Sequence, residues 1–279
     1  MAKIQRTSAP ARPAAPTPAP SSRPVAGLFK PLKGRTEYVR ALFWGREGSG
    51  KTTAALRASR NGRILVIDSE GGLKADALER LGVDPDRVVV LSPPMGGSLD
   101  YETLDAAFHQ VKTDLAADPE SWYAIVIDSL TELVAALVNF AADDRVTKAR
   151  ARGIQIDQVA QFDTDRGDYG TASKMFRDLL RKFRTLDCHL IVTALERRTV
   201  DTDTGMTVYG PEVPPAVSSD VRAYMDEVLH FRAASDDKPF HAVSGGTSRY
   251  HVKDRSGKLP TTIDNPFFDT IADLINKEN

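Results

Sequence analysis

The hydrophobic positions divide the chain into short apolar runs separated by longer amphipathic stretches. The runs are almost continuously apolar, which is typical of strands buried on both faces of a parallel sheet. They cover residues 63–68, 87–91, 123–128 and 189–194. Helical periodicity is found in residues 73–81, 100–115, 130–142 and 171–185. This alternation predicts an α/β fold with helices on both faces of a mostly parallel central sheet.

The two ends of the chain have a different character. Residues 1–35 are rich in alanine and proline and carry basic but no acidic side chains. Because proline removes a backbone donor and fixes φ, they predict a disordered tail, either a basic arm or a solubilising tether. Residues 36–279 then form one domain. Its last third predicts short strands in an antiparallel extension of the sheet, and a closing helix over 267–275.

Composition limits the classes of function. The net charge of −1 excludes attraction to nucleic acid by bulk charge, so any DNA contact must come from local basic patches. The lone Cys188 cannot form an internal disulfide and is expected to be a small core residue. No apolar run is long enough to span a membrane, and the N-terminus has no apolar signal segment. We therefore expect a cytoplasmic protein with no membrane contact.

The segment with the most specific chemistry is 45–52. It reads Gly-Arg-Glu-Gly-Ser-Gly-Lys-Thr and matches the P-loop pattern G-x-x-x-x-G-K-[ST]. A strand candidate, 38–44, precedes it and a helical stretch, 53–58, follows it, which is the context that a P-loop requires. The alternative is an ordinary glycine-rich turn.

The residues of this segment predict how it would hold ATP. Gly48 and Gly50 permit backbone conformations that other residues avoid, so that amide N–H groups can surround a phosphate at a helix start. Lys51 would reach the β- and γ-phosphates, and the Thr52 hydroxyl would bind Mg²⁺. The predicted nucleotide-binding residues are Gly45, Glu47, Gly48, Ser49, Gly50, Lys51, Thr52 and Thr53.

Two acids follow buried strands. Asp128 ends the run 123–128, where a carboxylate beside a P-loop can position Mg²⁺, although it could also be only a helix cap. Glu70 follows the run 63–68, where it could activate a water for attack on the γ-phosphate. The alternative for Glu70 is a surface acid in a glycine-rich turn.

These motifs together resemble the core of the RecA recombinase family, over roughly residues 38–260. The layout is similar to RecA-core phage proteins, the AAA-type single-strand annealing ATPases. The segments that carry the resemblance are 45–52, 66–70, 81–87 and 125–129. The resemblance implies a RecA-like P-loop NTPase fold, a Mg²⁺-dependent ATPase stimulated by DNA, and Glu70 as the catalytic glutamate.

The resemblance also implies a site completed by a neighbouring subunit. Lys253 and Arg255 fall where recombinases carry two lysines that reach the neighbour's γ-phosphate, and this implies a homo-oligomer. A solvated basic strand end is the alternative. Two departures weaken the match. Leu195 replaces the glutamine that senses the γ-phosphate, so that sensing either passes to Thr193 or Glu196 or is weak. The stretch 73–81 lacks an aromatic residue to stack on adenine.

Two long connections, 143–169 and 197–221, fall where the family has its DNA-binding loops. Their basic side chains could neutralise phosphates, and Tyr169 or Tyr209 could stack on a base. The candidates for DNA contact are Arg145, Lys148, Arg150, Arg152, Arg197 and Arg198. Ordinary charged surface loops are the alternative.

The leading hypothesis is therefore an ATPase that acts on single-stranded DNA in phage recombination, annealing or repair. Its partners would be single-stranded DNA, further copies of the chain and a single-strand binding protein, in the host cytoplasm. A helicase-loader or motor accessory with the same core stays open. A P-loop kinase is less favoured because the sequence shows no arginine-bearing lid.

Overall fold

A computed structural model of the chain describes residues 37–95, 97–155, 164–236, 238–246 and 248–277. The tail predicted for 1–35 lies outside the described residues, so its disorder and the domain boundary stay predictions. The four apolar runs form strands of one sheet, and the described residues contribute ten strands to that sheet in all. These strands are β1 (Arg40–Gly45), β2 (Ile64–Asp68), β3 (Val88–Leu91), β4 (Ala124–Asp128), β5 (His189–Val200), β6 (Thr207–Pro211), β7 (Glu227–Arg232), β8 (His241–Val243), β9 (Lys253–Asp254) and β10 (Thr262–Asp264).

Helices cover both faces of this sheet. They are α1 (Lys51–Leu56), α2 (Ala75–Arg80), α3 (Tyr101–Ala117), α4 (Leu130–Ala151), α5 (Arg166–Arg184), α6 (Pro215–Tyr224) and α7 (Phe268–Asn276). Helices α3 to α6 pack on one face, and α1, α2 and α7 pack on the other. In the described ranges, no helix is long and apolar enough to cross a membrane.

The strand order is β10-β8-β7-β1-β5-β4-β2-β3, with β6 paired to β5 and β9 paired to β7. The six strands from β7 to β3 are all parallel. Their carboxyl ends therefore meet at one edge of the sheet, which is where ligands bind in open α/β sheets. The predicted fold class, a mostly parallel sheet with antiparallel C-terminal strands, is confirmed.

One strand of the predicted antiparallel extension has the opposite direction. β7 runs parallel to β1, from Ala41 opposite Glu227 to Gly45 opposite Phe231. The antiparallel strands are β8 and β9, which pair with β7, and β10, which pairs with β8. An apolar run shows that a strand is buried, but its direction is set by the connection before it, here α6, which returns the chain to the amino edge.

The first of the two predicted long loops is mostly helical. α4 continues to Ala151, so Arg145, Lys148 and Arg150 lie on a helix, and Arg152 is its C-cap. The helix continues because Val146 is buried within a charged stretch. α5 starts at Arg166 behind a capping box, and 156–163 lies outside the described residues. The prediction that these side chains lie in a loop is therefore wrong.

The second predicted loop is a β-hairpin followed by a helix. β5 extends to Val200 and pairs antiparallel with β6, from Glu196 opposite Pro211 to Val200 opposite Thr207. The β-branched residues around both strand ends favour this extension. Arg197 and Arg198 therefore project from an ordered strand, where both are exposed.

Buried groups at the amino edge of the sheet include an acid that the sequence did not point to. Glu227 starts β7 with 2% of its surface exposed. The Ser256 N–H donates to its Oε1 at 3.2 Å, and Oε2 has no hydrogen-bond partner among the described residues. Burial, followed by the charge of Asp254, raises the pKa of Glu227 from 4.5 to about 7. The folded protein thus favours the protonated carboxyl.

This acid predicts a pH-dependent stability. Because the folded pKa is raised, its contribution is fully present below pH 4.5 and is lost as the pH rises through about 7. Glu227→Gln should remove that part of the pH dependence, measured by urea unfolding between pH 4.5 and 8. The exposed Glu79→Gln is the matched control. Equal pH slopes in the wild type and Glu227→Gln would contradict the assignment.

Candidate nucleotide-binding site

The P-loop begins where β1 ends. Gly48 and Gly50 have φ values of 69° and 82°, in the left-handed region that favours glycine. Gly45 is required for a different reason, because an added Cβ would lie 2.4 Å from the Phe231 carbonyl oxygen. The loop then leads into α1, which begins at Lys51. The segment 45–52 thus has the strand–loop–helix setting that the sequence predicts.

Lys51 is held inside this loop. Its Nζ donates to the carbonyl oxygens of Gly45 at 3.0 Å and of Arg46 at 2.8 Å, with 7% of the residue exposed. Burial lowers the pKa of Lys51, and the charge of Asp128 acts against that shift. A buried ammonium of this kind gains strongly from an anion that arrives in the loop.

Asp128 connects the P-loop to the centre of the sheet. The Thr52 hydroxyl donates to its Oδ1 at 3.1 Å, and the Thr193 hydroxyl donates to the same oxygen. Burial raises the pKa of Asp128, and these two hydrogen bonds oppose the shift. The hydroxyl and carboxylate oxygens of this group are the hard ligands that Mg²⁺ prefers, so Thr52 and Asp128 fit a metal bound with a phosphate.

Glu70 lies at the neighbouring strand end. Asp68 is opposite Asp128 in the register of β2 and β4, so both acids are at the carboxyl edge. Asp68 accepts the Gly71 and Leu73 N–H groups and therefore orders the turn that carries Glu70. The Ser129 hydroxyl donates to Glu70 Oε1 at 2.9 Å.

Positions around the site that the sequence left open also have defined contacts. Leu195 lies opposite Gly45 and uses its backbone N–H to bind the Thr131 hydroxyl. Glu196 Oε2 lies 2.7 Å from His230 Nε2. Two polar residues, Thr193 and Glu196, are candidate replacements for the sensor glutamine. Thr193 donates a hydrogen bond to Asp128, and Glu196 contacts His230 on β7.

Phe240 is a site residue that the sequence did not indicate. An added Cβ at Gly50 would lie 2.7 Å from its ring, so the ring covers the start of α1. It also contacts Phe231 and Phe267, with ring centroids 5.9 and 5.7 Å away. Phe240 follows a polar segment and gives no periodic signal in the sequence. Only the antiparallel return of the chain into β8 brings it to the P-loop.

Lys253 and Arg255 lie at the opposite edge of the sheet from the P-loop. β9 pairs with Glu227 and Val228, at the start of β7, and it ends before Arg255. Lys253 Nζ donates to the Arg222 and Met225 carbonyl oxygens at 3.2 and 2.6 Å. Arg255 binds Asp226 at 3.0 Å. Both side chains thus have partners in their own subunit, and a contact with a neighbour's nucleotide stays a prediction.

The predicted DNA-contact residues fall on two separate elements. On α4, Arg145 pairs with Asp168 at 3.0 Å and Lys148 pairs with Asp144 at 2.6 Å, so acids neutralise both cations. Arg150 and Arg152 are exposed at the end of that helix. Arg197 and Arg198 are exposed on the hairpin.

Comparison with known proteins gives matches at the family and fold levels. A family model described as an AAA domain matches residues 37–256. RecA of Malacoplasma penetrans (strain HF-2) is 32% identical over 97 residues, which are 33% of this chain and 26% of that protein. RecA of Nocardioides sp. (strain ATCC BAA-499 / JS614) is 38% identical over 97 residues, 33% of this chain and 25% of that protein.

A solved structure of the RadB recombinase is also similar, with a TM-score of 0.44 and 18% identity, covering 76% of this chain and 82% of that one. The chain spans about a quarter of the length of the curated relatives that it matches.

The position of Lys51 predicts its effect on nucleotide binding. Lys51→Ala should weaken ATP affinity by roughly 10- to 100-fold, because the loop loses its charge-assisted hydrogen bonds to phosphate. Isothermal titration with ATP measures this change, and circular dichroism checks the fold. Lys174→Ala, an exposed position on α5, is the control. Unchanged ATP affinity in Lys51→Ala would exclude 45–52 as the phosphate site.

Proposed function

We propose that this chain, which belongs to the AAA-domain family and has a RecA-like P-loop ATPase core, hydrolyses ATP while acting on single-stranded DNA. The process would be recombination, annealing or repair. The observation that carries the proposal is the meeting of Lys51, Thr52 and Asp128 with Glu70 at one sheet edge. A phosphate cradle, a metal-binding pair and an acid for water are the parts that this reaction requires.

The P-loop would bind the phosphates of ATP. Backbone N–H groups at the start of α1 and the Lys51 ammonium would face the anion. Thr52 and Asp128 would hold Mg²⁺, which neutralises charge on the phosphate oxygens when it is bound. Two hydroxyls donate to Asp128 and favour its ionised form, against the burial that raises its pKa.

The strand order supports one orientation of the nucleotide. Asp128 ends β4 and Glu70 follows β2, both on one side of β1, so the γ-phosphate end would point to that side. The base then extends toward β8 and β10, on the other side of β1. The ring of Phe240 lies there against Gly50 and offers an apolar surface to the base.

Glu70 would orient and deprotonate the attacking water. Ser129 holds one of its carboxylate oxygens, which leaves the other oxygen for the water. A substitution that removes only the charge of Glu70 should slow hydrolysis without changing nucleotide binding, because the contacts of the P-loop and of Asp128 do not depend on Glu70.

Glu70→Gln should therefore reduce the hydrolysis rate by roughly 10²- to 10⁴-fold while ATP affinity stays within about twofold. Phosphate release at saturating ATP and titration with ATP measure the two quantities. Glu102→Gln, on the exposed first turn of α3, is the control. A full rate in Glu70→Gln would assign the water to another group.

The hairpin is the better supported of the two DNA elements. Arg197 and Arg198 are exposed on β5. They lie just beyond the part of that strand that pairs with β1, where the P-loop begins. By contrast, acids already neutralise Arg145 and Lys148 on α4. We propose that the hairpin neutralises DNA phosphates and that several copies of the chain bind along one strand.

The salt dependence of DNA binding tests this proposal. Arg197→Ala combined with Arg198→Ala should reduce the slope of log affinity against log salt by about 1.4, since each lost phosphate contact removes about 0.7 on single strands. Fluorescence anisotropy with a labelled oligo-dT between 50 and 300 mM salt measures the slope. Lys112→Ala on α3 is the control. Wild-type protein that does not bind DNA would favour the motor-accessory alternative.

A further inference from the structure

A cavity of about 510 Å³ opens between the P-loop, the hairpin and the end of β7. Its walls include Arg46, Tyr209, His230, Arg232 and Tyr250. The two tyrosines in this wall pack with the core on the α3–α6 face, whereas Phe231, which also lines the cavity, packs with Phe240 on the other face. The tyrosines therefore lie on the opposite face of the sheet from Phe240, the residue proposed to contact the base of ATP.

A row of stacked rings leads from the core to this cavity. Trp44 stacks on His230 with centroids 4.2 Å apart, and His230 stacks on Tyr250 at 4.6 Å. Tyr250 stacks on Tyr209 at 5.2 Å, with an angle of 19° between the planes. Trp44 and His230 are buried, whereas the two tyrosines are partly exposed. The row thus ends in aromatic surface that a flat ligand can contact.

The backbone holds these rings in place. The Tyr209 N–H donates to the Arg249 carbonyl at 2.7 Å, and the His251 N–H donates to the Tyr209 carbonyl at 3.0 Å. Trp44 Nε1 donates to the His251 carbonyl at 3.0 Å. Because the wall is already ordered, a ligand pays little of the entropy that forming it would cost.

The charges around the cavity favour a neutral group. Arg46 and Arg232 are balanced by Glu47 and Glu196 in the same wall. Glu196 is bound to His230, and the Arg232 guanidinium lies 4.8 Å from the centre of the Tyr250 ring. A free polyphosphate would meet two carboxylates there, whereas a nucleobase would meet rings and hydrogen-bonding groups.

A cation lies on the hairpin opposite one of the tyrosines that line the cavity. Arg198 on β5 is opposite Tyr209 on β6, so both side chains are on the same face of the hairpin. Directly opposite residues have Cβ atoms about 5 Å apart, which is close to the span between a nucleotide's phosphate and its base. One nucleotide could thus contact both residues.

We propose that this cavity takes one unstacked base of single-stranded DNA, with its phosphate on Arg198 and its ring against the tyrosines. This inference rests on the proposed function. It adds that DNA is held by a base as well as by phosphates, and that this base lies against the P-loop residues that line the same cavity.

The experiment compares two oligomers of equal length and charge, one of dT nucleotides and one of abasic nucleotides. Tyr209→Ala should weaken dT binding about 5- to 100-fold and leave abasic binding unchanged, since stacking needs a base. Tyr209→Phe should retain dT binding. Arg198→Ala should weaken both. If Tyr209→Ala does not fold, Tyr209→Leu takes its place, because leucine keeps the apolar bulk but removes the aromatic ring. The same loss of dT binding is then expected.

A second measurement locates the base directly. Irradiation of the wild-type complex with 5-iodouracil DNA should crosslink peptides that contain Tyr209 or Tyr250. Equal losses for both oligomers in Tyr209→Ala, or crosslinks only elsewhere, would overturn the inference while DNA binding stands. A changed oligomer mass with unchanged DNA affinity would instead make the cavity a subunit contact. If the wild-type protein binds neither oligomer, the result contradicts the proposed function itself.

Discussion

The burial of β1 between two parallel partners is the constraint on which the rest of the structure depends. All six of its residues are buried, and it pairs with β5 on one edge and β7 on the other. β7 comes so close to its end that Gly45 has no room for a side chain beside the Phe231 carbonyl. The P-loop therefore leaves the sheet at a fixed point, and Asp128 and Glu70 reach the same edge from the ends of β4 and β2.

The polar groups at this edge hold buried charges of both signs close to the P-loop. Lys51 donates to carbonyl and hydroxyl oxygens, Asp128 accepts from two hydroxyls, and the charge of Asp128 acts on the Lys51 ammonium. Burying a charge costs free energy, which hydrogen bonds and an opposite charge offset. A bound triphosphate would place negative charge beside Lys51, and its metal would place positive charge beside Asp128.

The sequence was sufficient to predict the sheet and the residues that meet at its carboxyl edge, because long apolar runs and the P-loop pattern are local signals. It did not give the direction of β7, which depends on a connection, or the length of α4, where a single buried residue, Val146, continues a charged helix. Phe240 could not be found because only the tertiary return of β8 brings it to Gly50. The partners of Lys253 could not be found either, because they are carbonyl oxygens at the end of α6.

Trp44 has a consequence for observing this molecule. The chain has two tryptophans, and the other, Trp122, lies before β4 at the amino edge, with its Nε1 bound to Asp114 at 2.8 Å. Trp44 precedes the P-loop directly and stacks on His230 in the ring row. Its emission depends on the polarity and contacts of that row. With Trp122 replaced by phenylalanine, the protein would carry a built-in optical probe between its nucleotide site and its hairpin.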